Sequence, residues 1–262
     1  MLMTKEEYFE IIKPVTLMDD IFMSQVFEGD NELMEFVLKI ILNKNFKVKS
    51  VKTQYSIKNL AGHDVRLDVF AETEDGKAVN IEIQRQDRGA VAKRARYNSS
   101  MIDTNSLPTG ENFDALPETY VIFITEKDVL KLNEPIYFIE RMIVGKDKFF
   151  NDGAHIVYVN NSIQDDTPLG RLMHDFICAD PSKMFYKEIF DRVNRFKTED
   201  EEVLTMSSFM DKIIEKINRE NALRMIERGK LTLEEIAEDL NLPLEEVKEL
   251  AAKNSISIKE QV

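Results

Sequence analysis

Two acidic residues, Asp68 and Glu82, lie on consecutive segments that are typical of β-strands, with the sequence Glu-Asp-Gly-Lys between them. That sequence predicts a tight turn, so the two strands form a hairpin. Two carboxylates on one face of a hairpin could bind a divalent cation, because Mg²⁺ in proteins takes one or two carboxylates together with water. The chemistry therefore depends on whether both side chains point to the same face.

The length of the turn decides that question. A two-residue loop would place Asp68 and Glu82 on opposite faces and would mix polar and apolar residues on both, which a half-buried sheet does not tolerate. A three-residue loop, Glu74–Gly76, pairs Thr73 with Lys77 and suits a type I turn with a left-handed glycine. One face is then wholly apolar, and Asp68 lies directly opposite Glu82. We predict the three-residue loop.

Carboxylates that face each other across two strands repel by roughly 0.2–1 kcal/mol. A divalent cation would offset this repulsion, and so would a basic side chain such as that of Arg66 or a neighbour. A third interpretation is a solvated polar face, which is common in antiparallel sheets. The hairpin residues alone leave these alternatives open.

The elements around the hairpin predict an α+β protein with one sheet. Apolar residues recur at helical spacing in residues 5–42, and TYVIFITE is a continuous apolar run that is typical of a central strand. The predicted strands are 47–57, 66–73, 78–85, 119–126 and 155–161; the predicted helices after the hairpin are 88–103, 169–178, 182–196 and 200–228, followed by two short ones.

The two short helices, within residues 231–253, resemble a helix-turn-helix. Thr232 and Glu235 form a predicted capping box, and Pro243 begins the second helix. That second helix carries LEEVKE, an acidic sequence that is a poor partner for phosphate. Reading of DNA is one interpretation; packing, dimerisation or binding of a partner is favoured.

Charge is distributed unevenly along the chain. The net charge of −13 argues against general affinity for nucleic acid, and 15 acidic against 7 basic residues between Glu199 and Leu250 account for most of it. By contrast, RQDRGAVAKRAR, residues 85–96, has five basic residues and one acidic residue. The compact basic segment of the chain therefore follows directly on the carboxylate pair.

Composition bounds the remaining possibilities. The 262 residues suit one medium domain or one domain with an appendage, and we predict domains at 1–165 and 166–262. A single cysteine, Cys178, fits a reducing compartment. The sequence has neither a targeting segment nor an apolar run that could span a bilayer, so we expect a cytoplasmic protein without a membrane partner.

The ordered motifs resemble the PD-(D/E)XK nuclease superfamily, and in particular its transposase branch with the Rpn-type recombination-promoting nucleases. The resemblance covers roughly residues 14–161. The segments that carry it, in chain order, are MDDIFMSQVFEG, LDVFAETEDG, IEIQ, KRARYNSS and GENFDALPETYVIFIT. Departures are Asn98 after Tyr97, where a second aromatic residue is usual, and Phe113 in place of a tyrosine.

The resemblance implies a restriction-endonuclease-like αβββαβ core, an α+β fold of the α/β sandwich-like kind, and Mg²⁺-dependent hydrolysis of DNA, with Mn²⁺ as an alternative cation. It makes Asp68 and Glu82 metal ligands, with the carbonyl of Ile83 as a further one. Gln84 takes the position of the usual lysine; it can orient a water molecule but carries no charge.

The resemblance also assigns residues outside the hairpin. Arg94, with Lys93 and Arg96 beside it, would contact DNA phosphate; a solvated helix face is the alternative. Asp19 aligns with an acidic residue of the first helix that completes the site, and Tyr97 is an accessory residue that we expect to pack against the sheet.

Three functions are consistent with these features. The first is a Mg²⁺-dependent DNA endonuclease in recombination, mobile-element biology or defence. The second is a catalytically weak nuclease-fold module that binds or regulates, and the third is cleavage of RNA. A homodimer through the C-terminal helices is the predicted assembly.

Overall fold

The computed structural model describes residues 5–59, 62–85, 89–198 and 207–259. The helices are α1 (Lys5–Ile12), α2 (Asp20–Phe27), α3 (Asn31–Leu42), α4 (Ala92–Ser106), α5 (Pro168–Ile177), α6 (Lys187–Lys197), α7 (Ser207–Arg228), α8 (Leu233–Asp239) and α9 (Leu244–Lys259). The strands are β1 (Val48–Ile57), β2 (Val65–Thr73), β3 (Ala78–Gln84), β4 (Thr119–Thr125), β5 (Ile136–Ile139), β6 (Met142–Ile143), β7 (Lys148–Phe149) and β8 (Ala154–Asn160).

One mixed sheet organises the larger compact unit, Phe9–Asp200. Its strand order is β1-β2-β3-β4-β8-β5; the β1-β2-β3 meander and the β5–β8 pair are antiparallel, whereas β3, β4 and β8 are parallel. Every residue of β4 is buried, as expected of an interior strand with helices on both faces. This arrangement confirms the predicted α+β fold with an αβββαβ core.

Helices cover both faces of this sheet. Helix α4 packs on β1, β2, β4 and β8, where Phe70, Phe123 and Tyr158 form a core with Ala95 of the helix. Helices α2 and α3 pack on β1 and β2. Because side chains alternate along a strand, the α4 face also receives the residues at positions 68, 80 and 82. The candidate carboxylates therefore lie between the sheet and α4.

The hairpin has the predicted register. Phe70 is paired with Asn80 and Glu72 with Ala78, and the amide of Thr73 donates to the carbonyl of Lys77 over 3.0 Å. The loop between the strands is thus Glu74–Gly76. Gly76 has φ +84°, a left-handed conformation that glycine adopts without strain.

Helix α4 begins at Ala92, later than the predicted start at residue 88. The segment before it packs against the sheet instead: Ala90 is buried, and its carbonyl accepts a hydrogen bond from the Tyr158 hydroxyl over 2.9 Å. Residue 88, the start of the predicted helix, lies outside the described residues.

Lys197, at the end of α6, connects three separate chain segments. Its ammonium donates hydrogen bonds to the carbonyls of Lys13, Val15 and Ala179, at distances of 2.5–3.0 Å. Burial lowers the pKa of Lys197 to about 8. Helices α5 and α6 thus belong by packing to the unit that contains the sheet, and the domain boundary at residue 165 stays a prediction.

The second compact unit contains Met1–Tyr8 and Glu201–Val262. In it, α7, α8 and α9 pack around Ala222, Ile236, Ala237 and Val247. The predicted capping box at α8 is present: Thr232 accepts from the amide of Glu235, and the Glu235 carboxylate accepts from the amide of Thr232. Across the described part of the chain, every helix is too short or too polar to cross a bilayer.

Candidate active site

Asp68 and Glu82 are buried together under α4. Asp68 is 6% exposed and Glu82 is fully buried, as is Asn80 on the same face. The interpretation of this face as a solvated polar surface is therefore wrong. Burying two carboxylates is costly unless they receive hydrogen bonds and positive charge, so their partners determine what the pair can do.

The backbone pairing between β2 and β3 ends one residue before Asp68 and Glu82. The last backbone pair is Val69 with Ile81. One residue further, the amide of Ile83 donates to Asp68 Oδ2 over 3.0 Å, and the amide of Asp68 points at Glu82 Oε1, 3.4 Å away. The carboxylates thus take over hydrogen bonds that backbone carbonyls would otherwise accept, and this holds them next to each other.

Glu82 has two further partners. The side-chain amide of Asn80 donates to Oε1 over 3.1 Å, and the guanidinium of Arg94 donates to Oε2 over 2.7 Å. Arg94 also donates to the carbonyl of Gly89 and lies over the ring of Phe123. The counter-ion of the pair is therefore Arg94 and not Arg66.

One arginine does not compensate two buried carboxylates. Burial and the nearby charge of Glu82 raise the pKa of Asp68 to about 8. Burial raises the pKa of Glu82 as well, while Arg94 and the hydrogen bond from Asn80 act in the opposite direction. Around neutral pH the pair therefore tends to retain a proton, because burial and mutual repulsion oppose the ionisation of both carboxyl groups.

Gln84, at the end of β3, lies against the backbone before α4. A Cβ added at Gly89 would come within 1.6 Å of Gln84 Oε1, so the absence of a side chain at Gly89 makes room for the amide. The Gln84 amide makes no hydrogen bond within the described residues and is half-buried. Gln84 is two residues from Glu82 and so lies on the same face of β3, with its polar atoms available.

A groove of about 690 Å³ runs between the start of β2 and α4. Exposed basic side chains on its walls, those of Arg66, Lys93 and Arg96, have no acidic partner among the described residues, and Arg94 lines it from the inner side. Among the described residues that line the groove, the acidic one is Asp64, which is paired with Lys58 over 2.7 Å. In a chain of net charge −13, this groove is locally positive.

Tyr97 also lines the groove. Its hydroxyl donates to the carbonyl of His63 over 2.7 Å and accepts from the side chain of Asn59 over 3.0 Å. The ring packs on the core under α4. These contacts are those of a residue that positions the loop before β2.

The acidic residues at the start of α2 divide their roles. Asp19 caps the helix, because its carboxylate accepts from the amides of Ile21 and Phe22 at 3.0 Å. The neighbouring Asp20 is the one whose charge raises the pKa of Asp68. Asp20 is therefore near enough to interact electrostatically with Asp68, whereas Asp19 caps α2.

Two neighbours of the carboxylates were not predicted. Asn80 lies on the same face as Glu82 and donates to it, a role that its residue type and spacing do not indicate. Gln54 lies opposite Asp68 on β1, between the pairs Thr53–Val69 and Tyr55–Leu67, and has φ +49°. A left-handed non-glycine residue within a strand is strained and is often found at functional sites. No pattern in the sequence marks this conformation.

A mixed sheet between α4 and the α2–α3 pair, with two buried carboxylates beside a basic groove, defines the class of nuclease-like α+β domains. A family model described as the PD-(D/E)XK nuclease family transposase matches residues 22–164, more than half of the chain. The protein belongs to this family. Neither the curated proteins nor the solved structures include a match to the chain.

Proposed function

We propose that this protein is a Mg²⁺-dependent endonuclease that hydrolyses phosphodiester bonds in DNA, with Mn²⁺ able to replace Mg²⁺, in recombination, mobile-element biology or defence. The observation that carries the proposal is the buried Asp68–Glu82 pair, which the Ile83 and Asp68 amides hold together and whose counter-ion, Arg94, also lines a positively charged groove. Membership of a nuclease family supports the same reaction class.

The residues present fit a divalent cation. Asp68 Oδ1 accepts no hydrogen bond within the described residues, and a cation could replace the proton that the raised pKa of Asp68 favours. The described residues contain no cluster of three or more His, Cys, Asp or Glu side chains, which suits Mg²⁺ because it retains several water ligands. Asp68, Glu82 and the carbonyl of Ile83 would hold it.

A bound cation would polarise the scissile phosphate and lower the pKa of an attacking water molecule. The chain's own residues supply the rest. Gln84 would orient the water molecule, and Arg66, Lys93 and Arg96 would hold the backbone of DNA in the groove through phosphate contacts. These contacts position the substrate without reading its sequence.

Cleavage of supercoiled plasmid tests the proposal. We expect nicking that requires Mg²⁺ or Mn²⁺, that is abolished by EDTA, and that falls at least 100-fold in Asp68→Asn and Glu82→Gln, as expected when a group that acts in the transition state is removed. Asp166→Asn changes an exposed carboxylate and should retain activity. Equal cleavage by all the variants would exclude this site. Labelled single-stranded RNA in parallel separates RNA cleavage from DNA cleavage.

A nuclease-fold module without useful catalysis is the second candidate. It is favoured by the neutral Gln84 and by the hydrogen bonds that already occupy both carboxylate oxygens of Glu82. A folded protein that binds duplex DNA but does not cut it with either cation would support this candidate. The predicted homodimer through the C-terminal helices is tested separately by light scattering.

The C-terminal helices give little support to DNA reading. At the start of α9, Glu245 is paired with Lys248, and Glu246 with Arg219 of α7. These acidic residues occupy the position that would face a major groove. Protein contacts therefore remain the better proposal for residues 231–253.

A further inference from the structure

Arg94 lies at the boundary between the buried carboxylates and the groove. Its guanidinium contacts Glu82 Oε2 at 2.7 Å on the inner side, yet its side chain is 36% exposed and lines the groove with Lys93 and Arg96. Glu82 itself is fully buried. The Arg94 side chain can therefore reach both the Glu82 carboxylate and the groove.

The contact with Glu82 is one that a divalent cation would replace. A cation held by Asp68 and Glu82 needs carboxylate oxygens, and Oε2 is the oxygen that Arg94 engages. A second positive charge at this position would also repel the guanidinium. Cation binding and the Arg94–Glu82 ion pair are thus in competition.

The groove offers Arg94 an alternative partner. The side chains of Arg66, Lys93 and Arg96 form no ion pair with a carboxylate in the described part of the chain. Arg94 lines the groove with them. A nucleic-acid backbone bound in the groove would bring phosphate within reach of a released guanidinium, which binds phosphate through paired N–H groups. Release from Glu82 would add the positive charge of Arg94 to the phosphate-binding surface of the groove.

We infer that Arg94 couples the two ligands of this protein: it is the counter-ion of Glu82 in the cation-free state, and it moves to a backbone phosphate when a divalent cation binds. This inference rests on the proposed function, because it takes Asp68 and Glu82 as the cation site. Reciprocity requires that nucleic acid in turn strengthens cation binding.

The first test measures Ca²⁺ binding to the full chain by titration calorimetry near pH 8 without DNA. Arg94→Met removes the competitor of the cation, so its Ca²⁺ affinity should rise about 5-fold or more, within the usual range of coupling between sites. A role of Arg94 in merely positioning Glu82 predicts the opposite sign, a loss of affinity. Arg96→Met, on the same helix but exposed, should leave the Ca²⁺ affinity unchanged.

The second test measures binding of a fluorescein-labelled DNA duplex by anisotropy, over a range of NaCl concentrations, with Ca²⁺ or with EDTA. Each phosphate contact contributes about 0.9 to the slope of log K against log salt concentration. The slope for the wild-type protein should become steeper by about that amount with Ca²⁺. The increment should vanish in Arg94→Met and persist in Arg96→Met, which binds the duplex more weakly under both conditions.

Arg94→Lys serves if Arg94→Met does not fold without a cation, because it retains a charge near Glu82; it should show the salt-slope increment. A wild-type protein that binds neither Ca²⁺ nor Mn²⁺ would overturn the proposed function together with the inference. A protein that binds the cation, but whose Arg94→Met variant binds it no more tightly or whose salt slope does not respond, overturns the inference alone.

Discussion

Replacing the buried carboxylate of Asp68 by an amide should stabilise the cation-free protein at neutral pH. In Asp68→Asn, the side-chain oxygen can still accept the hydrogen bond from the Ile83 amide, while the carboxyl group, which must take up a proton or carry a charge beside Glu82 when the chain folds, is removed. The variant therefore keeps the main local contact of Asp68 and loses its electrostatic cost.

The size of the effect follows from the pKa. Because the pKa of Asp68 is raised from 3.8 to about 8, the folded protein retains a proton that the unfolded chain releases between these values. Wild-type stability therefore falls as the pH rises through this window. One pKa unit corresponds to about 1.4 kcal/mol, so the full cost at pH 7 is about 4 kcal/mol. Relaxation around a buried charge reduces such penalties, and we expect a gain of about 2 kcal/mol.

Urea unfolding in EDTA measures this gain. The chain has no tryptophan, so circular dichroism and tyrosine fluorescence would follow the transitions at about pH 4.5, 6 and 7.5. The difference between Asp68→Asn and wild type should be near zero at the lowest pH and should grow with pH. Asp166→Asn is the exposed control and should change stability by less than about 0.5 kcal/mol. A destabilised Asp68→Asn protein at pH 7.5, or a difference that does not vary with pH, would refute this account of the site.

Three further variants test other contacts. Gly89→Ala should push the Gln84 amide away from its present position, because the added Cβ overlaps Oε1; we expect plasmid cleavage to fall about 10-fold while the unfolding free energy changes by less than about 1 kcal/mol. Lys197→Met leaves three backbone carbonyls without their donor and should lower the unfolding free energy of the sheet unit by about 2–4 kcal/mol in urea titrations. Thr232→Ala removes the capping box with Glu235 and should cost about 1 kcal/mol in the C-terminal helices, which thermal circular dichroism would show, with Thr232→Ser as the conservative control.

The hairpin could be predicted from sequence because its pattern is local. Strict alternation and a three-residue loop with Gly76 fix the register, and the register fixes which side chains share a face. Burial of that face was not predictable in the same way. It depends on how α4 returns across the sheet, and the sequence of α4 is polar enough to suggest a solvated helix.

The partners of the carboxylates depend on distances that no local pattern encodes. The sequence offered Arg66 or a nearby basic side chain as the counter-ion, and the packing of α4 assigns this position to Arg94, which lies over Phe123. Gln54, opposite Asp68 on β1, has a left-handed backbone conformation. Its side-chain amide donates a hydrogen bond to the Ser24 hydroxyl of α2 over 2.8 Å. Neither arrangement follows from residue types and spacing.

The position of positive charge gives this site its particular character. Gln84 takes the position of the lysine that is usual in the wider PD-(D/E)XK superfamily, so β3 contributes no positive charge beside Glu82. Arg94 supplies that charge from α4, and its guanidinium contacts Glu82 from the side of the groove. Because Arg94 belongs to α4 and lines the groove, its side chain can leave Glu82 without any change in β3. The neutral Gln84 and the contact of Arg94 with Glu82 are therefore best understood together. In this arrangement, the positive charge beside the carboxylates depends on what the groove contains.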